Sequence, residues 1–153
     1  MAAIPRALYA YIEKKLYDQP YQAVSEAAEA LISRREEATG VKSPSGERSG
    51  GHSSGVSNRV QDGVLRVIAA EETLETANRW AFVYMRLGEI FDGTGEGEVA
   101  RMLYAQKMTA QEIAKHRGVD RQTVRRLRDS YVIRAALLAA EHGLVRTSDY
   151  ADG

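Results

Sequence analysis

The stretch Thr109–Ser130, TAQEIAKHRGVDRQTVRRLRDS, constrains this chain more than any other. It opens on Thr109-Ala110-Gln111-Glu112, the pattern of a capping box. The threonine hydroxyl accepts a free first-turn N–H, and the glutamate reaches back to the threonine amide. The helix this starts is short, with Ile113 and Ala114 facing inward. It is predicted to end near Arg117, because Gly118 suits the left-handed conformation that closes a helix. Val119 plugs the corner, and Asp120 caps a second helix reaching His142. Helix, glycine turn, helix is the order of a helix-turn-helix unit. The spacing agrees with the order. Small Ala114 lets the second helix cross close by, and Ile113, Val119, Val124 and Leu127 fall where such a crossing needs apolar contacts.

On a helical wheel at about 100° per residue, Val124, Leu127, Tyr131 and Leu138 cluster on one side. Gln122, Arg125, Arg126 and Asp129 fall on the other, with Arg121 and Arg128 flanking. The N-terminal part of a second helix of this kind enters the major groove. There Gln122 suits adenine, and Arg121, Arg125 and Arg126 suit guanine N7 and O6. Lys115, His116 and Arg117, ending the first helix, are placed for phosphates. Thr123 and Asp129 complete the expected DNA-binding set. Arg128, nearest the apolar edge, is the arginine expected to serve structure. Arg117 takes a slot that is apolar in many such units, so its stem is expected to snorkel.

Charge follows the same division. The chain has 21 Lys and Arg against 21 Asp and Glu, a net charge of zero. Yet Glu98–Arg146 holds ten basic residues and five acidic ones, a surplus of +5. Such a separation points to a basic binding module on a neutral-to-acidic scaffold.

The rest of the chain reads as all-α. An N-terminal helical segment spans 1–39. Ile4, Leu8, Tyr11, Ile12 and Leu16 form one apolar stripe, and Asp18-Gln19-Pro20 interrupts it. A second apolar face follows at Val24, Ala27, Ala28, Leu31 and Ile32. Residues 40–57, rich in Gly and Ser, are expected to form a flexible linker. A long helix is expected over 58–90. Val60, Val64, Val67, Leu74, Ala81 and Met85 carry its heptad spacing, a seam open to the N-terminal helices or to a coiled-coil homodimer. Residues 91–97 of FDGTGEGE are expected to be a Gly-rich hinge, since no Gly-Lys-Ser/Thr follows to make a phosphate loop. The DNA-binding domain then covers 98–146, starting with a helix over Glu98–Gln106 that buries Val99, Met102 and Leu103 and leaves Tyr104 at its edge. Residues 147–153 are a tail.

Several function classes find no support. With no cysteine there is no thiolate zinc site, disulfide or thiol catalysis. His52 lies in the Gly/Ser segment, while His116 and His142 sit on separate helices without ligand partners at metal spacing. Glu71, Glu72 and Glu75 read as a solvated or dimer-facing surface rather than an acid/base pair. No catalytic residue, metal or cofactor is expected. No apolar run approaches the ~20 residues of a membrane span, and the charged N-terminus is no signal segment, so no membrane partner and a cytoplasmic location are expected.

Glu112–Arg128, E-I-A-x-x-x-G-V-x-x-x-T-V-x-x-x-R, resembles the DNA-reading region 4 of sigma factors. The wider layout is similar to the RinA/ArpU-type phage late-gene transcription regulators. Its matching stretches are YAYIEKKLYDQPY, SGVSNRVQDGVLRVIAAEETLE and MTAQEIAKHRGVDRQTVRRLRDSYVIRAALLAAEHGL. The resemblance implies a phage- or prophage-encoded regulator that binds promoter DNA and activates late genes, with RNA polymerase as a further partner. Two alternatives compete. One is a phage small terminase subunit, an oligomeric packaging adaptor. The other is a sigma-like module that touches RNA polymerase without reading bases.

Overall fold

The computed structural model describes residues 4–39 and 53–150. Six α-helices and no strand occur among them: α1 (Arg6–Tyr17), α2 (Pro20–Thr39), α3 (Ser53–Ile90), α4 (Gly95–Ala100), α5 (Ala110–Arg117) and α6 (Arg121–Glu141). The all-α reading is correct. No helix among the described residues is long and apolar enough to cross a membrane.

Helix α1 buries Leu8, Ile12 and Leu16, the centre of the expected stripe. Lys14 and Lys15 in its last turn complement the negative end of the helix dipole. The break before α2 is a full stop. Gln19 takes a left-handed conformation at φ 58°, and Pro20 begins α2 at a position where its missing N–H costs nothing.

The chain divides into two compact units. The first is built from the described residues up to Tyr21 and from Arg79 onward; the second is Gln22–Asn78. The first unit is larger than the 98–146 module, because α1 and the end of α3 supply part of its core. Leu8, Ile12, Leu16, Trp80, Val83 and Leu87 join Val99, Ile113, Val124, Val132 and Ala135 in one apolar cluster. Lys15 lies over the Tyr11 and Trp80 rings at 5.6 and 5.7 Å, a cation–π contact at the edge of this core.

The second unit is a helical hairpin, and here two expectations need correction. Residues 53–57 are helical, so α3 starts five residues inside the expected 40–57 linker; residues 40–52 lie outside the described ones. Extending an existing helix needs only one hydrogen bond per residue fixed, and low Ser and Gly propensities do not prevent it. The heptad seam is only in part the packed line: Val60, Val64 and Met85 are exposed, while Val67, Leu74 and Ala81 are half-buried. The inward line alternates Gly63, Ala70 and Ala77, seven residues apart, with Val67 and Leu74. These small residues let α2 approach closely; a Cβ on Gly63 would stand 3.5 Å from Ala38. On α2, Ala27 and Leu31 turn inward, but Ile32 is exposed.

FDGTGEGE is a fixed turn that runs into α4, and the expected hinge at 91–97 is replaced by it. Thr94 caps α4, its hydroxyl accepting the Gly97 N–H at 3.1 Å and donating to the Phe91 carbonyl at 2.6 Å. The Thr94 amide donates to the same carbonyl at 3.0 Å. A Cβ on Gly97 would lie 2.4 Å from that oxygen. Gly97→Ala should therefore force the doubly bonded carbonyl to move, at a cost of about 1–3 kcal/mol. Urea denaturation monitored by helicity measures this, and an unchanged midpoint would show that the turn yields freely.

Helix α4 passes into a π-helical turn, Arg101–Ala105, closed by Gln106 N–H to the Arg101 carbonyl at 3.0 Å. Met102 and Leu103 are buried as expected, but Tyr104 is also buried rather than at the edge. Its hydroxyl donates to Glu13 Oε2 of α1 at 2.7 Å. Burial and then the nearby Glu13 charge push this phenol well above its ordinary range, so it stays a donor.

Candidate nucleic-acid interface

The helix-turn-helix is built by local chemistry. Thr109 N–H donates to Glu112 Oε1 at 2.9 Å, and Glu112 N–H donates to Thr109 Oγ1 at 3.2 Å, completing the capping box. Helix α5 ends at Gly118, whose φ of 69° and ψ of 32° place it in the left-handed region. Val119 N–H returns to the Ala114 carbonyl at 3.0 Å, which fixes the turn. Asp120 then accepts Thr123 N–H at 2.7 Å and starts α6.

Both capping carboxyls titrate below their ordinary range. The Thr109 amide and hydroxyl act on Glu112, and the Thr123 hydroxyl and amide on Asp120. Because both folded values are depressed, their contribution is fully present above the unfolded carboxyl pKa. It is lost as pH falls through the folded values.

The apolar contacts lie where the spacing puts them. Ile113 and Val124 have no exposure and Ala114 has 7%, while Val119 and Leu127 pack against the core half-buried. Turning Val124 inward turns the opposite side of α6 outward. Arg121, Gln122, Arg125 and Arg126 are exposed, as are Lys115 and His116 on α5. Among the described residues, none of Arg121, Arg125, Arg126 and Lys115 forms an ion pair. Thr123 is half-buried beside the Asp120 cap.

Two members of the expected DNA-binding set are engaged within the protein. Arg117 is half-buried and pairs with Glu98 of α4. Its stem snorkels as expected, but its guanidinium head turns to a carboxylate rather than to an open surface. Asp129 accepts the Tyr9 hydroxyl of α1 at 2.6 Å, and Arg128 Nε lies 3.7 Å from the same carboxylate. The wheel put Asp129 opposite the core because it could not know that α1 lies along that flank of α6. Arg128 serves structure as expected, its guanidinium 5.7 Å from the centre of the Tyr9 ring. Burial, reinforced by donation to Asp129, raises the Tyr9 hydroxyl far above the usual phenol range.

Glu98 and Tyr9 are thus the supporting residues that the sequence did not nominate. Tyr9 follows buried Leu8 by one helical step, which sets a phenol at the border of the α1 stripe. That is the local signal available for it. For Glu98 the available signal is its position in the first turn of α4, where a carboxylate suits the helix dipole.

Comparisons with family models, with curated proteins and with solved structures find no match to this chain.

Proposed function

We propose that this chain is a sequence-specific double-stranded DNA-binding transcription regulator that inserts the N-terminal part of α6 into the major groove. One observation carries the reading. Arg121, Gln122, Arg125 and Arg126 project from one exposed face of α6, with none of the three arginines in an ion pair among the described residues, while the opposite face is locked by Val124. An exposed guanidinium without a carboxylate partner keeps its fork of donors free for guanine N7 and O6 or for phosphate. Lys115 and His116, exposed at the end of α5, supply backbone contacts that set register. Arg117 and Asp129 leave the contact list, since Glu98 and Tyr9 hold them. The resemblance to RinA/ArpU-type regulators supports a promoter-binding activator of phage late genes, acting without catalysis.

Selection of bound duplexes from a random pool by the intact protein tests the proposal. The expected result is an enriched motif containing guanine and adenine at neighbouring positions. A pool that stays random through repeated rounds rejects sequence-specific reading and favours a module that touches RNA polymerase alone.

A further inference from the structure

We propose that Tyr9 is a positioning residue for the reading face of α6: by holding the Asp129 carboxylate against α1, it keeps Arg125 and Arg126 free to meet a duplex. The inference rests on the DNA-binding reading of α6 and adds to it a residue from the other end of the chain.

Helical spacing sets the problem. Asp129 follows Arg125 by four residues and Arg126 by three, the two separations at which side chains on one helix meet. An aspartate there is a ready partner for either guanidinium. A guanidinium forked onto a carboxylate must leave it before bonding guanine or phosphate. In the structure that pairing does not form. The ion-pair partner of Asp129 among the described residues is Arg128, and neither Arg125 nor Arg126 is in an ion pair.

Tyr9 decides where the carboxylate goes. Its hydroxyl donates to Asp129 Oδ1 at 2.6 Å, and Arg128 Nε approaches the same oxygen at 3.7 Å. Both contacts draw the carboxylate to the flank that α1 covers, with Arg125 and Arg126 beyond ion-pair reach. The phenol suits the task. It is half-buried, and burial followed by the bond to Asp129 keeps it protonated, hence a donor, throughout the neutral range. The Arg128 guanidinium stands 5.7 Å from the centre of its ring, so the ring has a contact of its own apart from the hydroxyl.

A second carboxylate lies close enough for Arg126 to act on its charge, that of Asp120. It is committed too, accepting the Thr123 amide at 2.7 Å as the cap of α6. Asp120 and Asp129 are the acidic residues between positions 120 and 131. Each has a partner other than the reading arginines.

Tyr9→Phe removes one oxygen and keeps the ring, so the variant should retain the helicity of the parent. Released Asp129 should pair with Arg125 or Arg126, and affinity for a selected duplex should fall about twofold at low salt, the worth of one such helical pair. Adding Asp129→Asn should restore it. Unchanged affinity in Tyr9→Phe overturns the proposal, and so does a double variant as weak as Tyr9→Phe, which would make Tyr9 a packing residue alone. A second readout needs no DNA. In arginine side-chain NMR, the Nε–H of Arg125 or Arg126 should exchange with water more slowly in Tyr9→Phe than in the parent, and at the parent rate in the double variant. Equal exchange in all three chains overturns the hold of Tyr9 on Asp129 even where DNA binding is intact. Slowed exchange in a chain that enriches no duplex keeps that hold and rejects the DNA-binding reading instead.

Discussion

Replacing Ile12 by alanine should cost about 2–5 kcal/mol of folding stability, as much as a change in the helix-turn-helix itself. Ile12 has no exposure and belongs to the same apolar cluster as Val124 and Val132 of α6. Its truncation removes apolar burial and leaves a cavity between elements far apart in sequence. A peripheral N-terminal arm would behave differently, since surface substitutions away from special features usually stay within about ±0.5 kcal/mol. The consequence extends to fragments. Residues 98–146 alone lack the α1 and α3 side of the core, so Val99, Val132 and Ala135 would meet water. Urea denaturation of the Ile12→Ala chain and of that fragment measures both effects. A small loss for the variant, with cooperative unfolding of the fragment, would restore the arm as a separate piece.

The second large effect concerns recognition. Arg125→Ala and Gln122→Ala should each weaken binding to a selected site by about 1–3 kcal/mol and relax base preference at one position. Both side chains are exposed, so thermal stability should hardly change. Titration of labelled duplex, with a scrambled duplex as reference, separates the two contributions. Loss on the selected site should exceed loss on the scrambled one, because base contacts specify while phosphate contacts only position. Equal loss on both duplexes would make these residues phosphate contacts, and no loss on either would remove them from the interface.

The helix-turn-helix was legible because its signals are local. Thr109 and Glu112, Gly118, and Asp120 with Thr123 each act within three residues of one another. A cap or a left-handed glycine needs no knowledge of distant chain. The inward turn of Val124 and Leu127 follows from helical period alone, and the outward arginines follow from that.

What the sequence concealed depends on contacts across distance or on small residues. Asp129 looked available on a wheel, yet its hydrogen-bond partner Tyr9 lies 120 positions away. Arg117 was correctly recognised as occupying an apolar slot, but its partner Glu98 lies 19 positions away in the sequence, on another helix. In α3 the large residues Val60, Val64 and Met85 drew attention to a heptad. Val67 and Leu74 of that heptad do turn inward, but between Gly63, Ala70 and Ala77, whose value lies in what they leave out. Gly97 belongs to the same class: its lack of a Cβ spares the Phe91 carbonyl, and glycine count alone reads as flexibility.

The most direct test of α6 reading a major groove is methylation interference on a selected duplex. Dimethyl sulfate marks guanine at N7 in the major groove and adenine at N3 in the minor groove. Methylation at one or two guanine N7 positions should abolish binding by the parent chain. Arg125→Ala should become indifferent to one of them, while adenine N3 methylation should be tolerated throughout. Binding that survives every N7 methylation, or fails only on N3 methylation, would contradict a major-groove role for the Arg121–Arg126 face.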